Sequence, residues 1–267
     1  AWSFTKSTQE ATINTDATLR LGSVSADSVF SVPTTDKFDV TGKSDSKTVN
    51  FGNVADAEIL SGSVSAIAGT ASVAEAQADA TNRAEITASD LRKTDTQATE
   101  SITVNSTGVS TARAAIEQFT LSAAAVGLLN GFSHAAGTFE AILNVKDPFK
   151  DGRDNIYAGN VKVSNSYTSD AETVVDPAAG GLDASLVSVG ANAAHAKNVT
   201  KANAAITGTG NLYATGTINV TENGKATADA TVNGAVLSIS GAKITFNDAK
   251  AEVVGTQDAF IGETGNA

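Results

Sequence analysis

The richest cluster of oxygen ligands is Asp147, Asp151, Asp154 and Asn155, with Gly152 free to turn the chain tightly between them. Calcium takes about six to eight hard oxygens, and carboxylates with an Asn carbonyl can supply them. The spacing is not that of an EF-hand, and Lys146, Lys150 and Arg153 interleave with the acids. The run is therefore read as a candidate calcium loop, with a solvated loop as the competing reading. The two histidines, His134 and His195, have no second His at ligand spacing, so each reads as solvated or locally bonded. Ser and Asp are too abundant for a Ser-His-Asp site to be singled out. No Gly-x-Ser-x-Gly elbow, Walker loop or dinucleotide fingerprint occurs. The tract Gly208-Thr209-Gly210-Asn211 lacks the strand-to-helix context of a phosphate loop. With no Cys in the chain, disulfides, thiolate metal sites and thiol nucleophiles are excluded. No enzyme activity is expected, and no cofactor beyond the candidate calcium.

Charge narrows the partners. The chain has 18 Lys and Arg against 29 Asp and Glu, a net charge of −11, and no basic block. A nucleic-acid surface needs clustered cations, so none is expected. No apolar run approaches the roughly 18 residues of a transmembrane helix. Sequons stand at Asn105, Asn198 and Asn219, candidate glycosylation sites in a secreted chain. The chain starts Ala1-Trp2-Ser3-Phe4 and contains no Met. That start suggests a mature extracellular or cell-surface protein whose leader has been removed, simple Met removal being the alternative.

Period-two alternation dominates the elements. Ile13, Thr15, Ala17, Leu19 and Leu21 share one parity, with Asn14, Asp16, Thr18 and Arg20 between them. From Val64 to Ala88 the even positions are mostly Ala, which a strand would put on one face although Ala favours helix. A helix is predicted near 110–130, with Ser110 as N-cap, Ala112, Ala115, Ile116, Phe119, Ala123 and Val126 at helical spacing, and Asn130-Gly131 as stop. Toward the C-terminus, Asn223-Gly224 and Asn233-Gly234 read as tight turns of an antiparallel meander. No fixed-period repeat stands out. The expected fold is mainly β, an antiparallel β-sandwich or jelly roll with helical decoration. Residues 1–12 would form an N-terminal segment, and 13–267 a single β domain with an Ala-rich insertion at about 64–135.

Trp2 and Phe4 alternate at the N-terminal end and include the chain's one Trp. Such a strand either docks into its own sheet or completes a sheet in a neighbouring copy, with Ile13 continuing its register. The opening Ala1-Trp2-Ser3-Phe4, the stretch from Ala11 to Leu21 and the stretch Thr48-Val49-Asn50-Phe51-Gly52-Asn53-Val54 together resemble TasA and camelysin-type biofilm-matrix proteins, to which archaeal bundling pili are similar. The resemblance covers roughly the first 60 residues. It implies a secreted jelly-roll subunit that polymerises with itself, donating its N-terminal strand to the next copy through Trp2 and Phe4. The expected function is thus a structural subunit of an extracellular filament, pilus or matrix fibre. The alternative is a β-rich surface adhesin or binding module. A hydrolase with a dispersed acid pair is a third reading, with no particular pair to support it.

Overall fold

A computed structural model of the chain describes every residue except 17, 31, 39–44, 52, 95, 148–154, 178–181, 234–236, 240–241 and 263–267. Strands account for 91% of the chain and no helix is found among the described residues, which removes the helix expected near 110–130. The strands are β1 (Trp2–Thr15), β2 (Leu19–Arg20), β3 (Ser23–Phe30), β4 (Val32–Phe38), β5 (Asp45–Phe51), β6 (Asn53–Ala88), β7 (Leu91–Arg92) and β8 (Thr99–Val145). They continue with β9 (Asn155–Asp176), β10 (Leu182–Gly208), β11 (Asn211–Ala214), β12 (Ile218–Val232), β13 (Leu237–Ile239) and β14 (Ala242–Ile261). With only three Pro in the chain, little interrupts the ladders, and β8 runs for 47 residues.

Apart from the antiparallel pair β4–β5, all strands join one parallel, strongly curled half-barrel sheet. The expected antiparallel sandwich or jelly roll is therefore wrong, and so is the C-terminal meander. Asn223 and Gly224 lie inside β12, paired in parallel with Ser166 and Tyr167 of β9, rather than in a hairpin turn. Parallel partners must be joined by a long crossover. Here the crossover is the rest of a coil. From β6 onward, paired residues stand 55–65 positions apart, as with Asn53 to Ser110 and Ser110 to Ser169. This winding is a structural period with no matching sequence repeat.

Each coil contributes to three regions. A first arm stacks β1, the second half of β6, the end of β8, the end of β10 and the end of β14. A second arm stacks β3, the start of β8, β9 and β12. A bend joins them. Through it β6 and β8 run without a break, and the parity of the buried positions switches, from Ala55 and Ala57 to Ala74 and Ala76 in β6. Large apolar side chains on the bend, including Ile67, Val126, Leu128, Ile244 and Phe246, point outward and are exposed.

The arms face each other, and what lies between them is the core. Away from the bend it is filled by Ile86, Ile102, Val104, Leu143, Ile156 and Val163. Nearer the bend Ala takes over, with Ala74, Ala76, Ala78, Ala112, Ala135 and Ala194 all fully buried. The Ala-rich stretch is strand, as its alternation requires, and its small side chains let the arms approach closely. Between these zones the Phe139 ring stacks on Tyr167 at 5.1 Å. Gly108 and Gly137 make room for Phe139, and Gly224 for Tyr167, since a Cβ at any of the three would collide with a ring.

That packing can be tested with paired glycine variants. Gly108→Val drives a branched side chain into the Phe139 ring and is expected to destabilise the fold by about 1–3 kcal/mol through overpacking. Gly69→Ala enters open space at the bend and should change stability by less than about 0.5 kcal/mol. Denaturant melts of both report the difference, and equal losses would contradict the assignment of Gly108 to the ring's space.

Candidate functional site

The parallel register places identical steps of every coil side by side, so outward residues of the first arm form rows across it. One row reads Trp2, Glu75, Phe132, His195 and Lys250. The next reads Phe4, Gln77, His134, Lys197 and Glu252. Both histidines, 61 residues apart in sequence, thus sit in adjacent rows on one surface. The two rows, apart from Trp2, Phe4 and Gln77, line an open groove of about 590 Å³. His195 packs edge-on against Phe132 at 5.4 Å, and its Nε2 lies 2.9 Å from Asp248 Oδ2. His134 Nε2 is buried, with no hydrogen-bond partner among the described residues. At one end of the rows Trp2 and Phe4 contact each other edge to face at 6.5 Å and remain 73% and 57% exposed.

No family model, curated protein or solved structure matches the chain.

The remaining sequence-predicted residues are spread over the molecule. Of the expected oxygen cluster, Asp147 lies just after β8 and Asn155 opens β9, while Asp151 and Asp154 lie outside the described residues. Among the described residues, no group of three or more His, Asp or Glu is arranged to hold a metal ion. Trp2 and Phe4 lie in β1, which docks into the chain's own sheet, pairing with β6 from Trp2–Glu75 to Thr15–Ala88. Ile13 faces the other way and packs on the core. Of the sequons, Asn219 is exposed, and Asn105 is half-buried and accepts from Ser164 Oγ at 2.9 Å. Asn198 is fully buried and bonded through both ends of its amide. It accepts from Ser169 Oγ and Thr200 Oγ1 at 3.0 and 2.7 Å, and it donates to the Thr227 carbonyl at 2.9 Å. A folded chain cannot offer that amide to a sugar.

Asn198 belongs to a set of polar groups that bond across the space between the arms. Asn82 Nδ2 donates to the carbonyls of Thr107 and Ser28 at 2.7 and 3.1 Å, and Ser28 Oγ donates to Asn82 Oδ1. Ser110 Oγ meets the carbonyls of Ala78 and Ala136. One coil further, Asn165 Nδ2 donates to the Phe139 carbonyl at 2.9 Å and to Glu222 Oε2 at 2.7 Å. Glu222 occupies the last described place in the row of Ser28, Ser106 and Asn165. Burial pushes its carboxyl up to about 7, against the lowering effect of hydrogen bonds, chiefly from Asn165. The nearby Tyr167 hydroxyl is also raised, first by burial and then by the Glu222 charge.

The raised Glu222 carboxyl has a signed consequence. The fold holds the proton more tightly than the unfolded chain, whose value is near 4.5. Its contribution to stability is therefore complete below about 4.5 and is lost as pH rises to about 7. Glu222→Gln should remove this part of the pH dependence and raise the melting temperature at pH 8. A melting temperature that falls in the variant at pH 8 would refute the buried-acid assignment.

Proposed function

We propose that the chain is a non-enzymatic structural protein of an extracellular fibre, extended by stacking copies head to tail along the axis of the coils. One observation carries this reading. β1 and β14 are the two outermost strands of the same arm, both run in the same direction, and each pairs on one side only among the described residues. An unpaired ladder edge is a template for another strand. A heterologous contact between unlike edges that does not close into a ring yields an open filament. Joining β14 of one copy to β1 of the next would continue the parallel arm and its rows of side chains. The resemblance of the opening stretches to matrix-fibre proteins supports the extracellular setting. In this mechanism β1 stays in its own sheet and offers its free edge, so the neighbour gains a strand without the chain giving one up.

The free edges can be blocked singly. Glu75 N–H bonds the Ala1 carbonyl, and Gly262 N–H bonds the Ile206 carbonyl. In a parallel ladder a residue's N–H and C=O point to the same side. The even positions of β1 and the odd positions of β14 therefore direct their N–H groups outward. Thr8→Pro and Val253→Pro each remove one outward donor and leave the internal ladder intact. Each variant should keep its strand circular dichroism and lose assembly by light scattering and negative-stain imaging. Filaments that persist in both would defeat edge stacking. Self-repulsion at a net charge of −11 should make assembly easier as salt rises. The calcium reading predicts that calcium promotes assembly beyond sodium at matched ionic strength, and that Asp147→Asn weakens the excess. Equal effects of the two salts would remove it.

A further inference from the structure

We propose that the groove on the outer face of the first arm binds a neutral oligosaccharide laid across the rungs, parallel to the axis of the coils. This goes beyond the structural role above and does not depend on it. Backbone donors and acceptors in the middle of the arm are consumed by the ladder, so anything resting on this face is held by side chains alone. An extended peptide, which needs a free edge to pair with, finds none in the middle of the arm. The side chains recur at the rung spacing, about 4.8 Å. Five rungs present them in two parallel rows, from Trp2 to Lys250 and from Phe4 to Glu252.

The composition of the rows matches a sugar ring on both of its surfaces. A pyranose has an apolar C–H face and a rim of hydroxyls that donate and accept. Trp2, Phe4 and Phe132 supply aromatic surface, and the first two are largely exposed. Exposed rings with polar neighbours are the composition of a recognition surface rather than of a core. Acceptors come from Glu75 and Glu252, and donors from Lys197 and Lys250, with Lys250 Nζ and Glu252 Oε2 also facing each other at 3.4 Å. These four fixed charges cancel, which favours a neutral ligand over an acidic polysaccharide or a nucleic acid. Gln77 can donate and accept. His134 lines the groove with its ring, an apolar and polarisable surface whose Nε2 is turned in from solvent.

The test titrates cellohexaose and chitohexaose separately into the full chain, followed by calorimetry and by fluorescence. Trp2 is the only Trp and stands beside Glu75 of the groove in the same row, so its emission reports a ligand that extends along the row. Binding of either hexasaccharide with a blue shift of Trp2 emission is expected. Phe132→Ala and His134→Ala should each weaken it by on the order of tenfold. Lys225→Ala, an exposed change on the second arm, should leave it unaltered. Phe132 and His134 point away from the core, and thermal melts of each variant verify that the fold is retained. The proposal is overturned if neither sugar binds at millimolar concentration, or if binding is indifferent to both groove substitutions in folded protein.

Discussion

The gap between the two arms is the quantity on which the rest of the structure depends. A curled sheet encloses a core only if side chains reach across from both arms and meet without voids. Here the filling changes from Ile, Val and Leu far from the bend to Ala near it, so the interior tapers. Where the taper would leave unmatched space, the Phe139–Tyr167 stack occupies it, with glycines on the facing rungs. Polar side chains then fasten one arm to the other's backbone, as Asn165 does to Phe139 and Asn198 to Thr227. Such bonds are directional, and a slip of one residue would turn both amides to the wrong face. The apolar taper sets the distance, and the amides set the register.

Alternation was legible from the residues and the pairing was not. Ile13 reads as half-buried from its neighbours alone, and so does the Ala series from Ala74 to Ala88. Period two is common to parallel and antiparallel strands, however, and the partner of Asn53 lies 57 residues away with no sequence signature joining them. The Asn223-Gly224 pair carries a turn signal that tertiary packing overrides, because Gly224 serves to admit the Tyr167 ring. The helix expected at 110–130 fails for a related reason. From Val109 to Ile116 every residue is buried, so the apolar-polar contrast that marks a strand disappears there. Beyond it the bend switches the parity of the inward positions and turns Leu121, Val126 and Leu128 outward. A run with both features scatters its apolar residues in a way that imitates helical spacing.

The candidate site shows the same limit at longer range. Trp2 and Phe4 stand out in the sequence because aromatic alternation near an end is unusual in a chain with one Trp. His134 and His195 each look isolated, and remain so until the register sets His134 beside Lys197 and His195 beside Phe132. No spacing rule finds them, since coil length varies from rung to rung. The oxygen-rich run from Asp147 to Asn155 was conspicuous for the opposite reason. Closeness in sequence makes such a run conspicuous whether or not its residues converge on anything.

Coiling in parallel separates two kinds of constraint that a small globular fold mixes. Inward positions answer to the opposite arm, and few changes are neutral there. Outward positions answer only to the residues above and below them in the same row, at contacts worth about 0.2–1 kcal/mol each. A row can therefore change from Glu75 to Phe132 to His195 across successive rungs without disturbing the core beneath it. The ladder supplies the spacing, and the outward side chains are left to supply the chemistry. A surface of this kind can acquire a binding groove by substitution alone, with no loop to build and no pocket to excavate. The edges differ in that their exposed groups belong to the backbone and are nearly independent of side-chain identity. Changes at the edges and changes in the rows are thus independent of each other on one arm.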